Sequence, residues 1–375
     1  MHIPDGYLSP QTCGAMYVVA TPFWVTATRR VRKTVKNRHV PMLAIMAAYC
    51  FLVMMFNVPI PDGTTAHAVG AVLVAVLLGP WAAIIAVSVA LATQALFFGD
   101  GGVLSYGANC FNMAIVMPLV GYGVYLLLTR RMSLTTPRRA LAAGLGAYIG
   151  LNVAALCAAT EFGLQPDLFH RADGTPLYAP FHLAQSIPAM LLAHGVVAGP
   201  VEFVLTAGVI AYLQRANLPL LRINPDNLRG ERAAALAAGA PVPTASEDPE
   251  DVKVSSWWWG VAALFVMAVL TPLGLLAPGG AFGEDSPADL DLRKYHLSAV
   301  PSGLRHYAGF WHNALFDGYD FSHDAHPTVG YLVSAAVGIA VIAAAVFAVL
   351  ALIRLVQRRH GTGSAPSSPV PQASA

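Results

Sequence analysis

NVPIPDGTTAHAVGAVLVAVLLGP, residues 57–80, joins an apolar helix to a stretch that cannot be one. From His67 to Pro80 there are about 13 residues, roughly 20 Å of helix, short of the roughly 30 Å of hydrocarbon in a bilayer. Pro59, Pro61 and Gly63 disfavour any upstream extension. If the Leu78–Trp81 stretch turns at one surface, His67 stops inside the membrane behind irregular backbone. Such backbone is tolerated at that depth only where it is buried in protein or lines a polar cavity. The stretch therefore implies surrounding helices and an outward-opening cavity with His67 on its wall or floor.

Composition agrees with a membrane setting. The 375 residues are 56% hydrophobic and 11% charged, with a mean hydropathy of +0.58, against about 25% charged residues in soluble domains. Apolar segments fall at 10–28, 40–58, 67–79, 81–98, 107–129, 139–160, 185–213, 257–278 and 328–353. Several reach the roughly 20 residues a spanning helix needs, and alternating ten-residue strands are absent, so a helical bundle is expected over a β-barrel. Four basic clusters, at 29–38, 130–139, 215–253 and 354–359, hold 18 of the 22 Lys and Arg residues. Nine crossings put all of them on one side, which the positive-inside rule makes cytoplasmic. The N-terminus and the 279–327 loop then face outward.

The expected fold is an all-α integral membrane protein: a seven-helix body over 1–213 and a C-terminal two-helix transmembrane hairpin over 257–357 with an extracytoplasmic loop at 279–327. A cytoplasmic linker is expected at 214–256, rich in Ala, Pro, Glu and Asp, and a disordered tail at 358–375. Residues 1–9 lack both the basic and the apolar regions of a cleavable signal, so the mature chain is expected to start at Met1. Cys13, Cys50, Cys110 and Cys157 show no paired spacing and read as small buried hydrophobes.

MHIPDGYLSP opens the chain. A free amine on Met1, the main-chain nitrogen of His2 and His2 Nδ1 can close two fused chelate rings on one metal, with His67 as a further imidazole. Nitrogen donors in one plane suit Ni(II) or Cu(II), and Co(II) less strictly. On the residues alone, a satisfied core histidine at 67 and an idle one at 2 remain open. Pro4, Asp5 and Gly6 would stiffen and turn the terminus, and Asp5 can accept a hydrogen bond from a ligand group.

Four separated motifs, MHIPDGYLSP, GTTAHAVGAVLVAVLLGPWAA at 63–83, QALFFGDGG at 94–102 and GANCFNM at 107–113, resemble the substrate-capture (S) components of energy-coupling-factor cobalt and nickel transporters, the CbiM/NikM family, over most of residues 1–215. The resemblance implies Ni2+ or Co2+ as transported substrate, held by Met1, His2 and His67; Asp5, Asp62, Thr65, Gln94 and Asn109 are candidate supporting residues around that set. Asp62 stands where glycine is common. Gln94, Asp100, Asn109 and Asn112 also suit helix capping or interhelical hydrogen bonds, and His194 and Glu202 are expected to be structural or to contact a transport partner.

The 279–327 loop is acidic and histidine-bearing, from Glu284, Asp285, Asp289 and Asp291 to His296, His306, His312, Asp317, Asp320, His323, Asp324 and His326. It reads either as a loose collector of cations or as an ordinary polar loop, since no pair has zinc-site spacing. With its flanking helices it resembles the accessory CbiN/NikN module, though PSGL replaces the usual PDGL.

Other classes fit poorly. H-E-x-x-H and G-x-S-x-G are absent, which argues against an enzyme. A proton-coupled secondary metal transporter is the main alternative, but its usual repeated halves are not visible. No P-loop motif occurs, so ATP-driven transport requires partners. The resemblance implies a membrane coupling protein (T component) and two cytoplasmic ATPase subunits, in the bilayer of a bacterial cytoplasmic (inner) membrane, with no nucleic acid. The nitrogen donors do not decide nickel against cobalt.

Overall fold

A computed structural model describes residues 1–34, 40–60, 64–242, 255–277, 280–321 and 326–361. Its long helices are α1 (Pro10–Thr34), α2 (Val40–Met54), α3 (Ala71–Leu78), α4 (Pro80–Phe98), α5 (Tyr106–Thr129), α6 (Arg138–Gly163) and α7 (Leu183–Ala216), then α8 (Arg229–Ala238), α9 (Ser255–Leu270), the short α10 (Ser302–Tyr307) and α11 (Pro327–Gly361). Among the described residues six segments are long and apolar enough to cross a membrane: Pro80–Phe98, Tyr106–Thr129, Arg138–Leu168, Leu183–Ala216, Trp258–Leu276 and Pro327–Val349. The chain is an all-α, multi-pass membrane protein. Large apolar side chains such as Val204, Trp258 and Phe265 stay exposed on these helices, as lipid-facing surfaces require.

Residues 67–79, expected to be helical throughout, turn helical only at Ala71. Residues Val58–Pro59 and Thr65–Ala66 form a two-residue antiparallel ladder, and the chain runs extended through His67 until Gly70 turns it. Gly70 has φ +76°, and the Tyr49 ring stands where a β-carbon would project, so a side chain there would meet both strain and a clash. From Ala71 to Leu77 every residue of α3 is buried. A helix enclosed on all sides is apolar all round, which is why no polar face marks it in the sequence. Gly79 then reverses the chain into Pro80 at the first position of α4.

Small residues let the body close around α3. Gly121 of α5 and Gly146 of α6 meet so closely that a β-carbon on either would collide with the other's backbone, and one on Gly150 would lie 2.6 Å from the Met117 carbonyl. Without a hydrophobic drive between helices in lipid, such backbone approach supplies the packing energy. Helices α9 and α11 pack against α2, and α11 also reaches α4.

The first half of the stretch expected as a linker is folded. Buried Asn224 donates from Nδ2 to the Ala75 and Val76 carbonyls at 3.2 and 3.1 Å, and buried Asn227 donates to Val76 at 2.9 Å. An eight-residue helix leaves half its carbonyls without internal partners, and these two asparagines bond two carbonyls of the last turns of α3, those of Ala75 and Val76. The second half, 243–254, lies outside the described residues, as do Asp62, His323, Asp324 and the tail from 362. The four cysteines are free thiols, buried except for the partly exposed Cys157.

Candidate metal centre

The N-terminal segment runs into the body rather than along its surface: Met1, His2 and Ile3 are at most 2% exposed. Three polar devices hold it there. The Asp5 carboxylate accepts from the main-chain nitrogens of Val103, Leu104 and Ser105 at 3.1, 2.8 and 3.1 Å, three successive N–H groups of the turn that leads into α5. Asn109 accepts from Ile3 N at 2.8 Å and donates to Ile3 O at 3.0 Å. The Ile3 carbonyl also accepts from Gly102 N at 2.9 Å and from the Ser105 hydroxyl. Asp5, expected to support a ligand group, is bonded instead to these backbone amides and anchors the segment.

His2 and His67 come together at the inner end of this plug. His2 Nδ1 lies 3.2 Å from His67 Nε2, and the Met1 nitrogen lies 3.5 Å from the same Nε2. Each ring's remaining nitrogen has a partner that fixes its tautomer. His2 Nε2 faces Gln94 Oε1 at 3.2 Å, and His67 Nδ1 faces the Ala68 carbonyl at 3.0 Å. Both partners accept and so favour protons on those nitrogens, which leaves His2 Nδ1 and His67 Nε2 facing each other, with Met1 N against His67 Nε2. The Gln94 amide is itself oriented, since its Nε2 donates to Asp100 at 3.1 Å and contacts the Tyr319 hydroxyl at 2.8 Å. Burial, followed by the charge of the nearby α-amine, pushes the His2 pKa down to about 4. The ring is therefore neutral near pH 7 and its lone pair is free for a cation.

Donors about 2.0 Å from a shared ion and at right angles are about 2.8 Å apart. Separations of 3.2 and 3.5 Å exceed that by about 0.4 and 0.7 Å, so the nitrogens need to close by less than an ångström on a shared ion. Asp100 Oδ1 stands 3.2 Å from His2 Nδ1, adding a further electron-rich atom to the group. Lone pairs facing each other in a buried site repel unless a proton or cation lies among them, so the donor set fits a bound cation.

Glu284 completes the cluster. Its Oε1 lies 3.2 Å from the Met1 nitrogen, and ligand atoms of His2, His67 and Glu284 all lie within 4.8 Å of one another. Among the described residues this is the one such group of three. Glu284 entered the sequence reading only as one acid in the outward loop. Its partner is 283 positions away, and no spacing rule connects them. His296, His306, His312 and His326 of the same loop are exposed and outside any such group.

Other candidate residues take supporting places. Thr65 pairs with Pro59, and its backbone nitrogen donates to Gly280 O at 3.2 Å. Glu202 is fully buried and accepts from Val69 N at 2.7 Å and from Gly70 N at 3.1 Å, so it holds the segment carrying His67 from the side of α7. His194 Nδ1 bonds the Met190 carbonyl within a π-helical turn of α7, and Asn112 donates to Glu161 at 2.9 Å.

Residues 2–220 match the family model described as "Cobalt uptake substrate-specific transmembrane region", CbiM. The chain is 43% identical over 373 residues to the "Fused nickel transport protein NikMN" of Rhodobacter capsulatus, covering 96% of this chain and 100% of that protein. It is 45% identical over 340 residues to the "Probable fused nickel transport protein LarMN" of Lactiplantibacillus plantarum, covering 89% and 93%. A solved structure, "Crystal Structure of an Truncated Transition metal Transporter", superposes with a TM-score of 0.54 at 54% identity, covering 57% of this chain and 98% of that one.

Proposed function

The chain belongs to the CbiM family of cobalt uptake substrate-specific transmembrane proteins, and from that premise we propose that it captures Ni2+ or Co2+ from outside through its own N-terminus and hands the ion inward as the substrate-specific subunit of an ATP-driven energy-coupling-factor transporter. The observation that carries the reading is that Met1 N and His2 Nδ1 both lie within 3.5 Å of His67 Nε2, with each imidazole's other nitrogen facing an acceptor. The main-chain nitrogen of His2 is the fourth donor, and it closes the chelate between the amine and the ring. Asp5, Gln94, Asn109 and the backbone of Thr65 hold these donors in place.

The full-length match to relatives named as fused nickel transport proteins supports two parts in one chain: a seven-helix capture body over 1–213 and a two-helix accessory module over 257–357. The charge pattern supports an outward N-terminus and a cytoplasmic C-terminus in a bacterial inner membrane, because the basic clusters follow α1, α5 and α7 and close α11, at the helix ends remote from the site. The chain has no P-loop motif, so the energy comes from partners, a membrane coupling protein and two cytoplasmic ATPases.

The test is a blocked amine. Purified protein carrying two extra residues before Met1, or an acetylated terminus, loses high-affinity Ni2+ and Co2+ binding in isothermal titration while its thermal unfolding stays unchanged, and His67→Ala behaves the same way. Normal binding by the extended protein would refute the assignment. Uptake into vesicles that depends on the ATPase partners separates this reading from a proton-coupled carrier.

A further inference from the structure

We propose that Glu284, from the outward loop of the C-terminal module, is itself a ligand of the captured ion: a carboxylate that closes on the nitrogen set from the side opposite the body. The inference rests on the capture reading above and adds to it a residue supplied by the accessory module.

Position is the first argument. An axial ligand stands at right angles to the planar donors, about 2.8–3.1 Å from each. Glu284 Oε1 is already 3.2 Å from the Met1 nitrogen and the ligand atoms of His2, His67 and Glu284 fall within 4.8 Å of one another, so a side-chain movement of at most about 2 Å brings the carboxylate into range. The remaining contact on this oxygen is the Met1 nitrogen, itself a proposed ligand.

The second argument is that the carboxylate is held where it stands. Gly280 O accepts from Thr65 N at 3.2 Å, and Ala281 bridges Thr65 in parallel, so the segment before Glu284 extends the ladder that leads to His67. Gly283 then turns the chain at φ +77°, with the Phe162 ring 2.8 Å from where a β-carbon would be. Phe282 packs on Phe181 at 4.7 Å between ring centroids, and the Tyr7 hydroxyl donates to the Asp285 carbonyl at 2.8 Å. A glycine turn clamped between rings delivers one side chain to one place, which is what preorganised ligation needs.

Chemistry is the third. A planar nitrogen set leaves positions above and below the ion open, and carboxylates are good ligands for divalent ions of this series. The pocket is closed, with Met1, His2 and His67 at most 3% exposed, and uncompensated charge is costly there. Asp100 brings one carboxylate, but its Oδ2 is engaged by Gln94 and by the Tyr319 hydroxyl. Glu284 is 21% exposed in its side chain and sits at the mouth, so it can leave to admit the ion and return to close over it.

The experiment compares full-length wild type with Glu284→Gln and Glu284→Asp, using Asp289→Asn in the same loop as a control. Two readouts are taken: Ni2+ dissociation measured by chelator chase, and the visible absorption and electron paramagnetic resonance of the protein loaded with Cu2+. Axial carboxylate ligation moves the copper d–d band to longer wavelength. Glu284→Gln is expected to move it back and to speed Ni2+ release by about 10- to 100-fold, the range for losing a metal-supporting group. Glu284→Asp recovers part of both effects, and Asp289→Asn changes neither. An unshifted copper spectrum together with a release rate within twofold of wild type overturns the proposal. His67→Ala keeps the two readings distinguishable: if it abolishes binding while Glu284→Gln is silent, only the carboxylate is refuted, whereas if it binds normally the capture reading fails first.

Discussion

Replacing Glu202 by alanine tests how the His67 segment is held. In the folded chain this carboxylate accepts from Val69 N at 2.7 Å and from Gly70 N at 3.1 Å, with no exposure to solvent. Removing it strands two buried backbone N–H groups. Each costs about 1–3 kcal/mol when left unsatisfied, so the loss is about 2–6 kcal/mol. Val69 and Gly70 follow His67 directly, so the penalty falls on the segment that carries the ligand. If even 2 kcal/mol of it favours an open form of that segment over the closed one, the closed-to-open ratio falls about 30-fold, and the apparent affinity falls by up to that factor, in step with the closed fraction. Glu202→Gln keeps one acceptor oxygen but turns an amide donor toward the same N–H groups, so it falls between wild type and alanine. The assay is Ni2+ titration calorimetry on detergent-purified full-length protein, paired with thermal unfolding. Wild-type affinity and an unchanged midpoint in Glu202→Ala would refute the reasoning, because they would mean the two N–H groups find other partners at no cost.

Gln94→Leu removes the acceptor facing His2 Nε2; Ni2+ affinity is expected to drop about 10- to 100-fold, as read by the same titration, with a lowered unfolding temperature because Asp100 and Tyr319 lose a buried donor. Gly146→Leu forces a side chain into the Gly121 backbone; loss of about 1–3 kcal/mol or more and poor recovery of monodisperse protein are expected, as checked by size-exclusion chromatography and thermal unfolding, with Gly123→Leu, which meets no neighbouring atom, as the neutral comparison.

Much of the membrane architecture was legible because hydrocarbon thickness imposes a length on apolar segments, and the short 67–80 stretch stood out by failing that length. His67 stood out for a related reason, a polar ring at the edge of an apolar run, whereas His2 was singled out by its place beside the chain's terminal amine. Glu284 was not legible, because an acid in a loop full of acids carries no mark of its partner, and only the ladder with Thr65 and the turn at Gly283 select it from its neighbours. The π-helical turns at Cys110–Val116 and Ala193–Ala198 are likewise absent from any periodicity, since one extra residue per turn disturbs an apolar pattern too little to see. Asn224 and Asn227 looked like linker polarity. Their role depends on where the carbonyls of α3 end, which is a tertiary fact.

The two ends of α3 explain why so short a helix can sit inside a membrane protein and still fix a ligand. At its start, Glu202 of α7 takes the N–H groups of Val69 and Gly70, a negative charge at the positive end of the helix dipole. At its finish, Asn224 and Asn227, just beyond α7, donate to Ala75 and Val76. One continuous stretch of chain therefore meets backbone groups at both ends of α3, a helix of about 12 Å. An isolated helix of eight residues is unstable, so these contacts anchor the run through His67 on its α3 side, while the ladder at Thr65 and Ala66 anchors it on the other. Between the two, the imidazole at 67 is held in register with the N-terminal plug.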